Sequence, residues 1–572
     1  MGRLRKYINP YLGYMLLTMA IKLLGAYTEL MIPDLMETII DEKVPAKDQQ
    51  SIYLYGGLML LCAFLCLAFN VIANRMSAKS SGQITRAIRH DLFCKLEHLS
   101  ARQMDQLTVS SAESRLTSDT YNINQMLARL QRMGIRAPML LIGGMIMMLR
   151  MDAALSLVLI SLLPIIALVT YFVTKKSLPL YTKQQTILDK VVRTVQENIT
   201  GIRVIKALSK TDYEKKRFHT VNSELTQIDQ KAGTVSAITN PTASLTLNLG
   251  LTLVVLVGAY RVNSGQMEGG VIVAFLQYFT MILNAMLGVT RIFVMWSKGE
   301  ASAKRVADVL DTPDDMAVLP ASLQEEKAAH IEFRNVNFSY TGIGTNIADL
   351  SFRLERGQTL GILGPTGSGK STILNLLMRL YDTDSGQVLI DGHDIRSIPY
   401  NQLRSKFGVV FQNDFVMEGS IADNLRFFRP VSDEAISTAA DHAQAEFIAQ
   451  KEGGMETEVQ VRGNNLSGGQ KQRLLIGRAL AADPEILILD DASSALDYRT
   501  DAKLRMALRE NYRNTTTVLV AQRISSLRHA DLILVLQEGS VIGTGNHEQL
   551  MHTCEEYAYL ARIQMGDGQE VL

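Results

Sequence analysis

The stretch "TLGILGPTGSGKSTILNLLMRL" occupies residues 359–380 and decides the fold of the second half of the chain. Residues 359–363 are apolar and read as a strand. A loop of Gly364, Pro365, Thr366, Gly367, Ser368 and Gly369 follows, and Lys370, Ser371 and Thr372 open a helical run. A strand running through a glycine-rich loop into a helix lets backbone N–H groups close around phosphate oxygens. The helix N-terminus adds a positive partial charge. Lys370 has the reach for β- and γ-phosphates, and Ser371 offers a hydroxyl to magnesium.

Downstream, "NNLSGGQKQRLLIGRAL" (464–480) begins a second helix at Ser467, Gly468 and Gly469, where exposed N–H groups again favour an anion. "ILILDDASSALD" (486–497) runs an apolar strand into the adjacent carboxylates Asp490 and Asp491. Upstream, "IEFRNVNFSY" and "LSFRLERG" alternate as strands. These signals predict an α/β phosphate-binding domain over residues 330–572. The polar, proline-punctuated residues 313–329 read as a linker.

The first half has a different composition. The chain has 572 residues, too many for one compact domain, with 58 Lys+Arg against 57 Asp+Glu. That balance argues against nucleic acid as a partner. Apolar runs concentrate before residue 300. Tyr14–Leu35, Ile52–Ala73, Ala153–Val173, Leu245–Val262 and Val271–Val294 are long enough to cross a bilayer. Ala137–Leu149 is too short and must borrow from residues 130–136. Six spans are expected over residues 13–312, with 1–12 as a basic interfacial lead-in and no signal-peptide cleavage. Residues 74–136 and 175–231 are long and rich in Lys and Arg; Asp41–Gln50 is short. Both termini and the long loops are therefore expected on the cytoplasmic side. Helical periodicity in "ITRAIRHDLFCKLEHL" and "LDKVVRTVQENITGIRVIKAL" predicts that the spans continue into the cytoplasm as helices. Lys22, Glu29, Asp34 and Arg291 lie within spans, where charge serves helix pairing or a substrate path. Scattered Met residues suit either ordinary packing or an adaptable cavity. Cys62 and Cys66 read as small packing residues.

The ordered set "GPTGSGKS", "LSGGQKQR" and "ILILDDASSALD" resembles the ATP-binding cassette superfamily, and its exporter-type half-transporters in particular, over essentially the whole chain. The resemblance implies an α-helical six-span transmembrane domain of exporter type followed by an α/β P-loop nucleotide-binding domain, with ATP and Mg2+ as cofactors. It implies that Tyr340 stacks on adenine, and that Ser371, Gln412 and Asp490 hold magnesium. It places Leu466, Ser467, Gly468, Gly469 and Gln470 at the ATP of a partner subunit, and Ala495, Leu496 and Asp497 in a loop that communicates across the dimer. Short coupling helices are expected around Ser111–Thr120 and Thr200–Ala207.

The sequence departs from that pattern at two catalytic positions. The usual Glu is Asp491, and the switch His is Gln522. Asp is one methylene short, and Gln cannot carry the charge of a protonated His. Val461 also stands where exporters commonly have Glu. The expectation is a subunit that binds ATP, hydrolyses it poorly at its own site, and completes the site of a partner with intact Glu and His. Its expected cargo is hydrophobic or amphipathic (a drug, lipid or peptide), moved out through the plasma membrane, with membrane lipid around the spans. A slow homodimeric exporter, an ATP-gated regulatory subunit and an exporter-fold importer of a metal chelate are the alternatives.

Overall fold

The computed structural model describes residues 4–320 and 328–565, without the side chains of residues 166, 170, 287, 290, 291, 293, 294 and 565. Arg291, part of the expected linker (321–327) and the extreme C-terminus thus lie outside the described side chains or residues. The chain divides into two units: Met1–Glu97 with Val109–Thr312, and His98–Thr108 with Pro313–Leu572.

The first unit is helical. Among the described residues, six helical segments are long and apolar enough to cross a membrane: Arg5–Lys43, Gln49–His98, Val109–Met151, Ala153–Thr200, Thr211–Asn263 and Gly269–Met286. This is the expected six-span domain. The short third run is completed as foreseen: helix Thr120–Met133 passes through Gly134 into helix Arg136–Met151. Leu60, Phe64, Leu157 and Leu256 are exposed, the pattern of a surface that meets lipid or another protein rather than water. The core of this unit is built on the sixth helix, where Phe275, Tyr278, Phe279 and Ile282 are fully buried. Tyr278 Oη donates to the Leu30 carbonyl at 2.7 Å, so its polar end is satisfied.

Several charges inside the spans have partners. Arg136 donates to both carboxylate oxygens of Glu29, at 2.8 and 2.9 Å from Nη2. Lys22 Nζ donates to the amide oxygens of Asn70 and Asn74 at 2.6 and 3.2 Å. Arg261 pairs with Asp152 at 2.9 Å, and Asp152 also caps the helix Ala153–Thr200 through the Leu155 N–H.

The described residues of the second unit contain twelve strands: β1 (Ile331–Phe338), β2 (Ile347–Leu354), β3 (Thr359–Leu363), β4 (Ser385–Ile390), β5 (His393–Asp394), β6 (Phe407–Val410), β7 (Gly419–Ser420), β8 (Glu458–Val459), β9 (Ile486–Asp490), β10 (Thr516–Val520), β11 (Leu532–Gln537) and β12 (Ser540–Gly545). A six-stranded sheet has the order β12-β11-β3-β10-β9-β6, parallel except for β12. A four-stranded antiparallel sheet, β2-β1-β4-β5, accompanies it. Every residue of β9 is buried. Its Ile486–Leu489 run is apolar on both faces, as a central parallel strand requires. Each such side chain contributes about 1.5–3 kcal/mol of burial.

Helix Ala101–Leu107 clusters with this second unit, although it falls inside the stretch expected to be membrane domain. Ser100 and Gln103 form a reciprocal capping box, and Thr108, at φ 64°, ends the helix. Asp105 accepts a hydrogen bond from Tyr381 Oη, Gln103 Nε2 donates to the Pro313 carbonyl at 2.7 Å, and Ser100 Oγ donates to Asp315 at 2.8 Å. The residues of the expected coupling position Ser111–Thr120 continue helically into the third span, and the separate short helix Ala101–Leu107 precedes them in the chain. Near the other expected position, a short helix spans Ile202–Ala207 within the first unit.

Candidate functional site

Register explains how distant residues converge. In the parallel sheet, Val520 of β10 is opposite Ile362 of β3 on one side and Asp490 of β9 on the other. All three strands end together, so the loops that leave them share one crevice at the carboxyl edge of the sheet. The β3 loop is Gly364–Gly369, the β9 loop begins at Asp491, and the β10 loop carries Gln522.

Together with Tyr340, Asn346 and Gln412, these loops enclose a cavity of about 290 Å³. Thr366, Gly367, Gly369, Lys370, Ser371, Thr372, Asp490 and Asp491 line it. Gly369 has φ 102°, and a Cβ there would lie 2.7 Å from Ile347 Cδ1 and 3.0 Å from the Asn346 carbonyl, so no other residue fits without displacing its neighbours. Helix Lys370–Leu377 begins immediately after it. Lys370 Nζ donates to the Gly364 and Pro365 carbonyls at 2.8 and 2.7 Å. Burial pushes its ammonium below the ordinary lysine value, and Asp490 and Asp491 oppose this.

Ser371 Oγ donates to Asp490 Oδ2 at 3.0 Å. With the Gln412 amide on the same cavity, this set is all oxygen, with no thiolate or imidazole, and it fits a hard cation such as magnesium. Asp490 is buried, and burial raises its carboxyl above the ordinary range; the Ser371 hydrogen bond and Lys370 pull the other way. Burial likewise raises Asp491, opposed by Lys370 and Arg523.

The two positions that depart from the family pattern touch each other. Gln522 Nε2 donates to Asp491 Oδ2 at 3.2 Å. Asp491 stands at φ 50°, and its N–H donates to the Val520 carbonyl at 3.0 Å, so its main chain is held in place. Tyr340 has its ring edge-on to Phe338 and Tyr381, with centroids 4.8 and 5.0 Å away, and its hydroxyl accepts from Asn375 at 3.1 Å. Asn346, which accepts from the Tyr340 N–H at 3.0 Å, was not singled out from the sequence. It sits in the ordinary turn residues "TGIGTN" and carries no motif.

The second anion-favouring segment lies elsewhere. Ser467 caps helix Gly468–Leu480 in a capping box with Gln470, and Ser467 and Gly468 are exposed. Gln472 clasps the neighbouring loop: its amide donates to Ser494 Oγ at 3.1 Å and accepts from the Ala495 N–H at 2.9 Å. Leu496 is buried, and Asp497 caps the next helix through Thr500. Leu466, Gln470 and the loop Ala495–Asp497 are absent from the lining of the phosphate cavity, as are the three residues Ser467, Gly468 and Gly469. One chain thus presents a glycine-rich cavity that suits phosphate and a separate, exposed helix N-terminus.

A six-span helical domain joined to a P-loop α/β domain with these two loops defines a membrane-embedded ATP-driven machine. Comparison with known proteins agrees. Residues 15–286 match the model of the ABC transporter transmembrane region, and residues 347–494 match that of the ABC transporter. An uncharacterized ABC transporter ATP-binding protein of Mycobacterium tuberculosis is 33% identical over 98% of this chain and 97% of its own length. A fatty acid ABC transporter ATP-binding/permease protein from the same species is 33% identical, covering 88% of this chain and 80% of its own. The structure of a bacterial Atm1-family ABC exporter with ATP bound superposes with a TM-score of 0.82 at 25% identity, covering 97% of this chain and 99% of that one. The chain belongs to the ABC transporter family: it is a multi-pass half-transporter of exporter architecture with an ATPase domain.

Proposed function

We propose that this chain is the weakly hydrolysing subunit of a heterodimeric exporter that moves amphipathic or hydrophobic compounds out of the cytoplasm across the plasma membrane. The observation that carries this reading is the 3.2 Å hydrogen bond between Asp491 and Gln522 beside an intact Lys370, Ser371 and Asp490. Binding chemistry is retained while base and switch are both altered.

In this reading Lys370 and the backbone of Gly364–Thr372 hold the phosphates of ATP, and Tyr340 faces the base. Ser371, Gln412 and Asp490 would hold Mg2+, which when bound neutralises charge on the β- and γ-phosphates. Gln522 occupies the carboxylate of Asp491 with an amide donor and supplies no positive charge for the γ-phosphate. The exposed start of helix Gly468–Leu480 then serves ATP held by a second subunit that carries Glu and His at these two positions. Closure of the paired cassettes drives the spans between inward- and outward-open states. The fatty acid named for one relative agrees with an amphipathic cargo.

The test is phosphate release by the purified chain alone and by the co-expressed pair. Little turnover alone, high turnover in the pair, and loss of that turnover on Ser467→Ala in this chain are expected. A chain that hydrolyses ATP alone as fast as any pair overturns the reading in favour of a homodimer.

A further inference from the structure

The membrane unit holds a cluster of cations that the ATP chemistry does not use. A cavity of about 600 Å³ is lined by Lys22, Asn74, Arg129, Arg132 and Arg136, with Gln125 and Met133. Among these described residues there is no carboxylate. Lys22 is only 5% exposed, and its partners are the neutral amides of Asn70 and Asn74. Arg132 donates to its own helix at the Ala128 carbonyl. Among the described residues, Arg136 alone of these cations is seen paired with an acid, Glu29.

The placement follows from the helices. Lys22 lies ten residues into helix Leu12–Thr38, about 15 Å along it at 1.5 Å per residue. Arg129, Arg132 and Arg136 recur at helical spacing and present one face across the junction of helices Thr120–Met133 and Arg136–Met151. An excess of cations on cytoplasmic surfaces is ordinary in membrane proteins. It does not account for Lys22, which is withdrawn from solvent inside a span, where an ion without a counter-charge is costly.

A second cavity, of about 150 Å³, shares Met133 and Arg136 with the first. Its wall joins the apolar Ala137, Leu140, Met281 and Ala285 to the polar Asn284 and the Glu29–Arg136 pair. Glu29 is the sole carboxylate on either wall among the described residues, and Arg136 already holds it in a bidentate pair. A cationic chamber therefore opens beside a partly apolar, Met-containing one, and the two have a common wall.

We propose that this pair of cavities is a binding site for an amphiphile with an anionic head, carboxylate or phosphate: the head is held by Lys22, Arg129 and Arg132, and the apolar chain lies against Leu140, Met281 and Ala285. The inference deepens the exporter reading given above and rests on it. The charge set selects against cationic amphiphiles, because a quaternary ammonium would face the positive charges of Lys22, Arg129 and Arg132. Asn70 and Asn74 orient the Lys22 ammonium without neutralising it.

The experiment measures equilibrium binding to the co-purified pair in phosphatidylcholine nanodiscs. The probes share one chain length: hexadecanoate, hexadecyl phosphate, the methyl ester of hexadecanoate and hexadecyltrimethylammonium. Inorganic phosphate is the water-soluble arm. The two anionic amphiphiles should bind more tightly than the ester and the ammonium, by about 10-fold or more, the scale of one charged hydrogen bond. Lys22→Met should abolish that preference, and Lys22→Arg should restore part of it. Because Lys22 is buried, Arg129→Gln with Arg132→Gln is the independent variant; it should weaken the anions with ATP binding and thermal stability unchanged. Glu29→Gln should not weaken them. Equal binding of all four amphiphiles, or anion binding unaffected in the Arg129/Arg132 variant, overturns the proposal while the amphipathic-cargo reading stands. Binding of inorganic phosphate with the same charge dependence, and of no amphiphile, keeps the anion site and overturns the amphipathic cargo. No binding by any probe overturns both.

Discussion

Replacing Asp491 by Glu and Gln522 by His in this chain should convert a weak site into a working one. The main chain of Asp491 cannot slide to make up a missing methylene, because its N–H is bonded to the Val520 carbonyl at 3.0 Å. The carboxylate therefore falls about 1.5 Å short of a Glu carboxylate, and a misplacement of that size costs ~10²-fold in rate. Its Oδ2 is also engaged by Gln522 at 3.2 Å. Releasing a hydrogen bond to a charged acceptor costs about 1.5–3 kcal/mol, a further factor of ten or more. Together these amount to ~10³-fold, or about 4 kcal/mol of barrier. The assay is phosphate release at saturating Mg2+ and ATP in a pair whose partner has its catalytic Glu changed to Gln, so that only this chain's site can contribute. The double substitution should recover ~10²–10³-fold, Asp491→Glu alone should recover less, and Asp491→Asn should change little. No gain from the double substitution would refute the argument. So would an Asp491→Asn effect in the native pair as severe as the partner's own Glu→Gln, since Asp491 would then be a working base.

Three further outcomes follow. Lys370→Ala removes the charge that faces the phosphates and should weaken ATP binding at this site ~10- to 100-fold, read by equilibrium nucleotide binding. Asp490 is pushed above the ordinary carboxylate range by burial, so the folded state binds its proton more tightly than the unfolded chain does, and stability falls as pH rises through the window between the two values. Asp490→Asn should therefore raise the melting temperature at neutral pH, by about 2–4 °C per kcal/mol relieved, and flatten the pH dependence while abolishing magnesium-dependent nucleotide binding; a lower melting temperature would count against that sign. Finally, Gln49 and Lys210 are both exposed, and a cysteine at Gln49 should react with an impermeant reagent on intact cells while one at Lys210 should not. The reverse labelling would invert the topology.

Much of the architecture is legible in local sequence because its causes are local. The phosphate loop is specified by a strand, three glycines and Lys370 within one short stretch, and glycine tolerates the 102° φ at position 369 whatever surrounds it. The spans are legible because a bilayer demands continuous apolar length. The helix Ala101–Leu107 carries a local signal too, the Ser100–Gln103 capping box at its start.

The tertiary structure decided which of these signals meet. Asp491 and Gln522 lie 31 residues apart, and only the parallel register of β9 with β10 turns two separate substitutions into one hydrogen-bonded pair. Glu29 and Arg136 are 107 residues apart, and Asp105 and Tyr381 are 276 apart. Pattern and propensity act over a few turns of chain, so they mark Lys22 and Glu29 as costly charges within a span. They leave open whether each one finds a carboxylate, an amide or a cavity. That outcome depends on which helix faces pack together, and it is packing that leaves Lys22 among amides and arginines while Glu29 is neutralised.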